Sequence, residues 1–342
     1  MSHDLYIKRC FQLARLGLGY TKTNPLVGAV IVHDGRIIGE GYHTGYGEAH
    51  AEIEAINSVS IHDFKRIPES TIYVNLEPCC IYGKTPPCVN EIIKQKIKKV
   101  VISMLDPNPA INGKGIEQLR ENGVEVVLNI LKHEAEKLNK VFIKNIIQEQ
   151  PYIILKFACT ADGYIGNRDH QVKISNDWSQ VVVHKIRHQV DAILIGTNTA
   201  IVDDPSLTNR HYFGSNPIRI ILDRKRKIPS HYTIFTDGHP TWLVTEKTDV
   251  KSHPNVKIIP WIENLDELVN WFLIKGIASV LVEGGAKTLQ SFMDMDLWDE
   301  MWCTQSKQML NNGVKAPHTT GILTSNFEVG SDLLSIYTKI KP

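Results

Sequence analysis

The chain contains no apolar run approaching the roughly 20 residues that a membrane-spanning helix needs. Its first residues, Met1-Ser2-His3-Asp4, lack the basic-then-apolar pattern of a secretory signal. Neither sign of charge dominates: 38 Lys and Arg stand against 37 Asp and Glu, a formal balance of +1. Residues 1–150 alone carry 18 basic and 17 acidic side chains, without the basic excess that a polynucleotide partner calls for. Cysteine is scarce as well. Six in 342 residues, two of them in the motif described next, do not build a disulfide framework, and a reducing, cytoplasmic setting is expected. What remains is ordinary for a globular protein, 42% hydrophobic and 22% charged, with a length that suggests two domains.

Chemistry concentrates between His50 and Cys88. His50-Ala51-Glu52 opens an apolar-periodic segment, and Pro78-Cys79 and Pro87-Cys88 follow. One imidazole and two thiolates make three soft ligands for Zn²⁺, and a catalytic zinc keeps its fourth tetrahedral position for water. Such a water has its pKa lowered from about 16 to roughly 7, which leaves Glu52 as the proton carrier. H-x-E followed by two cysteines is the signature of zinc-dependent base deaminases, although their cysteines are two residues apart and these are separated by eight. Positions i and i+2 do not share a helical face. His50 is therefore expected at a helix start, where the backbone is not yet helical, with Ile53, Glu54, Ala55, Ile56 and Val59 continuing from it. Cys88 is expected at a second start, after Pro86-Pro87 and before Val89, Ile92, Ile93 and Ile97, where the positive helix end favours thiolate. A lone histidine or cysteine is more often structural, and Cys10, Cys80, Cys159 and Cys303 are read as small buried hydrophobes. A purely structural zinc would carry a fourth protein ligand, and the nearest candidate, Cys80, adjoins a ligand already used.

Periodicity places an amphipathic helix at 5–18, a buried strand at 27–32, a hairpin turn at Asp34-Gly35 and its return strand at 36–42. A third strand at 71–76 delivers Glu77-Pro78-Cys79 at its carboxyl end, where α/β sheets put their chemistry. Strands at 99–104 and 124–128 flank a helix at 115–122, and the alternation implies an α/β sandwich with a mixed sheet. Residues 130–148 read as one helix with Leu131, Leu138, Val141, Phe142 and Ile146 on its apolar face. Gln150-Pro151 ends it, so the boundary falls there, giving domains 1–150 and 151–342. The strand at 152–159 is apolar apart from Lys156. A lysine in a buried strand is costly to desolvate, so Lys156 either faces a ligand or the strand is an edge with Lys156 in solvent.

The run Glu77-Pro78-Cys79-Cys80-Ile81-Tyr82-Gly83-Lys84-Thr85-Pro86-Pro87-Cys88, with Asp106-Pro107-Asn108-Pro109 beyond it, resembles one family in particular. It is similar to the cytidine-deaminase-superfamily domain of bifunctional riboflavin-biosynthesis deaminase/reductases, in which a long insert separates the cysteines. Segments 161–163, 191–199, 203–210, 217–223 and Leu281-Val282-Glu283-Gly284-Gly285-Ala286 resemble the reductase half of that family, in the same order. The resemblance implies an N-terminal cytidine-deaminase-like αβα sandwich with a mixed sheet and a C-terminal dihydrofolate-reductase-like α/β domain. It implies one zinc per chain on His50, Cys79 and Cys88, proton transfer by Glu52, and substrate contacts from Asn24, His43, Lys84, Asp106 and Asn108. In the second half, Lys156, Arg187, Leu207, Arg210 and Glu283 would line the substrate phosphate site. Ala158, Lys173, Thr199, Asp203, Gly285, Ala286, Lys287, Thr288 and Leu289 would contact NADPH. Ammonium and guanidinium groups suit phosphate oxygens, against the alternative of solvated or salt-bridged side chains. Gly284-Gly285 after an apolar strand lets backbone approach a phosphate at a helix start, although double glycines also serve tight turns.

The activity implied is two consecutive steps. The first is hydrolytic deamination of 2,5-diamino-6-(5-phosphoribosylamino)pyrimidin-4(3H)-one with zinc-activated water; the second is NADPH reduction of the ribosyl group to ribityl. The partners implied are small pyrimidine ribosyl phosphates, with no nucleic acid and no membrane, and a homo-oligomer formed through the reductase half. Two alternatives stay open on the residues: a nucleotide or tRNA deaminase fused to an unrelated reductase, and a pyrimidine-phosphate sensor without catalysis.

Overall fold

Ser2 caps the first helix, its hydroxyl accepting from the Asp4 amide, and α1 (His3–Ala14) buries Tyr6, Ile7, Cys10 and Phe11 along one side before tightening to a 3₁₀ turn at Arg15–Gly17. The computed structural model describes residues 2–83, 85–249 and 252–339. It divides into two units, Met1–Glu149 and Gln150–Pro342, each with its own hydrophobic core. In the first, β1 (Gly28–His33) and β2 (Arg36–Tyr42) form a hairpin whose turn residues Asp34 and Gly35 both have positive φ, the turn geometry that matches strand twist. Next come α2 (Ala51–Asn57), β3 (Thr71–Val74), α3 (Cys88–Lys94), β4 (Lys99–Ile102), α4 (Lys114–Glu121) and β5 (Glu125–Val127). The sheet order is β2-β1-β3-β4-β5, antiparallel among the first three strands and parallel from β3 to β5, the mixed sheet expected. Ala29 pairs with Gly41 on the side that meets α2, while the preceding residue, Gly28, meets α1. Successive strand residues face opposite ways, so the two helices cover opposite faces.

The helix expected across 130–148 is instead two, α5 (Lys132–Leu138) and α6 (Lys140–Gln148). The break falls at Asn139. Its buried side chain accepts the Leu26 amide at 2.8 Å and donates to the Leu26 carbonyl at 3.1 Å. Buried Asn75 donates to the same carbonyl at 2.9 Å and accepts from the Gly28 amide at 2.7 Å. The segment that carries Asn24 into β1 is thus tied down from two directions, and satisfying it outweighs helical continuity at Asn139. Cys10, Cys159 and Cys303 are buried as expected, whereas Cys80 is only half-buried.

The second unit contains β6 (Tyr152–Cys159), β7 (Tyr164–Gly166), α7 (Asp177–Gln189), β8 (Ala192–Gly196), α8 (Thr197–Asp203), β9 (Ile218–Leu222), α9 (Thr233–Thr236), β10 (Thr241–Thr245) and β11 (Val256–Pro260). It continues with α10 (Leu265–Ile274), β12 (Ser279–Val282), α11 (Ala286–Asp294), β13 (Glu300–Gln305), β14 (Val314–Lys315), β15 (Ile322–Val329) and β16 (Asp332–Thr338). The main sheet runs β11-β10-β9-β8-β12-β6-β13-β16-β15, parallel from β11 to β13 and antiparallel beyond; β7 and β14 pair separately. After β8 the chain moves outward to β9, and after β12 it moves the other way to β13. Crevices form at such reversals, outside the carboxyl ends of the strands. Strand β6 lies inside the sheet, between β12 and β13, so the edge-strand alternative for Lys156 does not hold. Among the described residues no helix is long and apolar enough to cross a membrane.

Candidate active sites

His50 is the residue before α2, with extended backbone (φ −76°, ψ 161°), and Glu52 is the second residue inside the helix. The non-helical start lets both side chains point into one space. Cys88 is the first residue of α3, and Cys79 receives that helix end: its sulfur accepts the Cys88 amide at 3.3 Å and its carbonyl accepts the Val89 amide at 3.2 Å. His50 Nδ1 lies 3.4 Å from Cys79 Sγ and 3.3 Å from Cys88 Sγ, and the three atoms all fall within 4.8 Å of one another. One imidazole nitrogen and two sulfurs converging so closely fit Zn²⁺. The Cys88 thiol, the His50 ring and the Cys88 amide draw the Cys79 thiol down to about 4, against burial. Glu52 is 3% exposed, and burial, reinforced by Cys79, lifts its carboxyl to about 7.

Around this centre the structure gathers residues far apart in the chain. His43 Nδ1 bonds the Ala49 carbonyl at 3.0 Å, which assigns the ring proton to that nitrogen. Its Nε2 then accepts from Asn24 Nδ2 at 2.9 Å, and the ring stands edge-on to His50 with centroids 5.5 Å apart. Burial, with His50 adding to it, lowers the His43 pKa, which keeps it neutral and an acceptor. Asp106 is buried after β4; its carboxylate accepts the Asn108 amide at 2.8 Å, and burial raises it to about 6. Glu77, which sequence reasoning left without a role, organises this side. Its carboxylate accepts the amides of Asp106 (3.2 Å), Gly113 (3.0 Å) and Gly115 (3.1 Å), locking the 106–115 loop to the strand end that carries Cys79. All three donors lie far downstream of Glu77, so no local pattern in the sequence signals the role. Lys84 lies outside the described residues.

In the second unit a cleft of about 1780 Å³ opens beside the carboxyl ends of β8 and β12. That exceeds the roughly 300–1,000 Å³ of a single small-ligand pocket and leaves room for a dinucleotide beside a sugar phosphate. Helices α8 and α11 start there directly after Gly196 and Gly285, and neither start carries a side-chain cap, an arrangement that suits phosphate oxygens. The two starts are tied together: the Gly196 amide donates to the Gly284 carbonyl at 3.3 Å and the Glu283 amide to Leu194 at 3.0 Å. Lys156, Ala158, Lys173, Arg187, Thr199, Asp203, Leu207 and Glu283 line the cleft, as does the α11 start from Gly285 through Ala286, Lys287 and Thr288 to Leu289. Arg210 does not. It is exposed next to the cleft, its Nη1 donating to Thr208 Oγ1 at 3.0 Å. Lys173 pairs with Asp177. The Arg187 fork, a candidate for phosphate, is already engaged: Nε and Nη2 reach the Glu283 carboxylate at 2.8 and 2.9 Å, and Nη1 reaches the Thr208 carbonyl at 3.1 Å. Burial disfavours the Lys156 charge; Glu283 opposes that shift and Arg187 adds to it. His211 also lines the cleft, unanticipated from the sequence.

A sulfur-and-imidazole metal centre beside a buried acid, and a nucleotide-sized cleft on a separate parallel sheet, define a base deaminase and a dinucleotide-dependent reductase carried on one chain. Residues 1–104 match the cytidine and deoxycytidylate deaminase zinc-binding region, and residues 151–321 match the RibD C-terminal domain. The riboflavin biosynthesis protein RibD of Actinobacillus pleuropneumoniae is 43% identical over 367 residues, covering 98% of this chain and 95% of that protein. RibD of Aquifex aeolicus is 38% identical over 318 residues, covering 90% and 88%. A crystal structure from Thermotoga maritima, a diaminohydroxyphosphoribosylaminopyrimidine deaminase/5-amino-6-(5-phosphoribosylamino)uracil reductase, matches with a TM-score of 0.92 at 34% identity over 99% of both chains. The chain belongs to the RibD family: it is a bifunctional deaminase and reductase of riboflavin biosynthesis, with a zinc-binding first unit and an NADPH-dependent second.

Proposed function

We propose that the first unit deaminates 2,5-diamino-6-(5-phosphoribosylamino)pyrimidin-4(3H)-one and that the second reduces the ribosyl group of the product to ribityl. These are the activities named for the Thermotoga maritima protein. The observation that carries the reading is the convergence of His50 Nδ1, Cys79 Sγ and Cys88 Sγ within 4.8 Å, with Glu52 buried at the same helix start. Zinc, when held by those three donors, supplies the Lewis acidity that brings a water's pKa into the neutral range. Glu52, buried beside the three donors, takes one proton from the attacking water and passes it to the ring nitrogen, then takes the second from the added hydroxyl and hands it to the departing amine as ammonia leaves. Asn24, oriented by His43, binds the pyrimidine, and Lys84, Asp106 and Asn108 complete the substrate contacts.

NADPH, when bound, supplies the reducing equivalents. In this reading the amide-rich starts of α8 and α11 take its phosphates, with Ala158, Lys173, Thr199 and Asp203 along its length. Lys156, Arg187, Leu207, Arg210 and Glu283 line the sugar-phosphate site, where Glu283 holds the Arg187 fork in place. The protein works in the cytoplasm on small molecules, without nucleic acid or membrane, as a homo-oligomer joined through the second unit. Strand β15 supports that last element: it ends the sheet with Ile322, Leu323 and Phe327 exposed, and an apolar edge strand invites pairing. Sedimentation of a species no larger than one chain would exclude the oligomer. The main test is Glu52→Gln. The variant is expected to retain one zinc by metal analysis and to lose deamination by about a thousandfold or more, while still oxidising NADPH with deaminated substrate. A folded variant lacking both activities would refute the assignment of two sites.

A further inference from the structure

The segment 207–216 has no helix or strand, yet it brings Leu207 and His211 into the cleft and Arg210 beside it. One face of α7 holds it. His184, Arg187 and His188 recur at i, i+3 and i+4 and are all buried. His184 Nδ1 faces two backbone amides, Arg210 at 2.7 Å and His211 at 3.3 Å, and His188 Nδ1 faces the Ser215 amide at 3.1 Å. Between them Arg187 Nη1 donates to the Thr208 carbonyl. A main-chain amide only donates, so both Nδ1 atoms are unprotonated acceptors. The His211 ring stands edge-on to His184, centroids 4.6 Å apart. Gly214, at φ +113°, lies so close to His188 that a Cβ there would be 2.2 Å from Nδ1. The charged and titratable groups facing His184 are Arg187 on its own helix, Arg210 and His211 from the segment, and Glu283 beyond β12. Burial and the first three hold the imidazole at about 4 against Glu283, so it remains an acceptor through the neutral range.

We infer that His184 and His188 are positioning residues of the reductase: as neutral acceptors they pin the backbone of the 208–215 segment and so fix where Arg210 and His211 meet the substrate. His211 is thereby a further substrate contact. The inference rests on the proposed role of Arg210 at the sugar phosphate, and the experiment separates the two. Asparagine puts an oxygen close to where the Nδ1 acceptor stands and does not titrate, whereas leucine keeps bulk and removes the acceptor. Full-length, zinc-loaded protein carrying His184→Asn or His184→Leu is compared with wild type for amide hydrogen exchange, NADPH Kd, and KM and kcat with 5-amino-6-(5-phosphoribosylamino)uracil. His184→Leu is expected to speed exchange at residues 210 and 211 and to raise KM, each by about tenfold, the scale of one lost hydrogen bond. NADPH Kd and kcat stay within about twofold, and His184→Asn restores wild-type values. Asparagine behaving like leucine would reduce the role to packing and overturn the inference; so would faster exchange with unchanged KM. Arg210→Ala with unchanged KM would reject the phosphate reading instead, leaving the exchange comparison to decide the clamp. If His184→Leu does not fold, His188→Leu, which gives up one amide, is read in the same way at Ser215.

Discussion

At the scale of single residues, Arg187 and Glu283 show how a side chain's partner changes its meaning. In the sequence Arg187 is a free fork suited to phosphate; in the fold it is spent on a carboxylate 96 positions away, with both side chains about nine-tenths buried. No local pattern carries that information, because opposite charges so distant leave no spacing to read. Burial alone would raise the Glu283 pKa, but Arg187 and Lys156 outweigh it and hold the carboxyl at about 2. The unfolded chain titrates Glu near 4.3, so the pair's contribution is complete above roughly pH 4.3 and is lost as pH falls toward 2. Glu283→Gln leaves Arg187 and Lys156 buried without their counter-charge and should cost about 3–5 kcal/mol at pH 7. Urea midpoints at pH 7 and pH 3 check this: the gap between wild type and variant should narrow in acid. An equal gap at both values would show that the charge is not what stabilises.

At the scale of elements, the deaminase centre depends on how closely α2 lies on β2. A Cβ on Gly41 would come within 2.3 Å of the Ala55 nitrogen and 2.6 Å of the Ala51 carbonyl, and one on Gly39 within 2.4 Å of the Ala55 carbonyl. Backbone atoms cannot step aside as a flexible side chain can, so Gly41→Ala must lift the helix at whose start His50 and Glu52 sit. The expected result is a loss of about 1–3 kcal/mol by denaturant titration, with zinc affinity reduced about tenfold or more in competition with a chromophoric chelator. Unchanged zinc affinity would mean that the helix start is positioned from elsewhere. Much at this scale is legible in advance. Strands β2 and β6 match their apolar patterns end to end, and the clash of the i, i+2 pair His50 and Glu52 with helical geometry is enough to put His50 just before α2. The break at Asn139 is not legible, because Leu26 makes it and periodicity sees only neighbours. Glu77 is hidden for the same reason, its three amide donors lying 29 to 38 residues downstream.

At the scale of the whole molecule, each unit has a core and sheet of its own: β1 to β5 form one sheet, and β6 to β16 form the others. The ligands divide in the same way, with the zinc donors all before residue 89 and the cleft lined only by residues from 156 to 314. A ligand that binds the folded form adds RT ln(1 + [L]/Kd) to the stability of the unit that holds it. NADPH at a hundred times its Kd therefore adds about 2.7 kcal/mol to the second unit, or roughly 5–10 °C for a domain of this size. Structural linkage of metal to folding acts on the first unit, since His50, Cys79 and Cys88 would join the start of α2, the loop after β3 and the start of α3 through one ion. Scanning calorimetry of the full chain should then show a transition that falls on chelation, together with loss of deamination. A second transition should rise with NADPH whether or not the chelator is present. If one transition moved with both ligands, the units would melt as a single cooperative body, and stability changes made in either would be felt at both active sites.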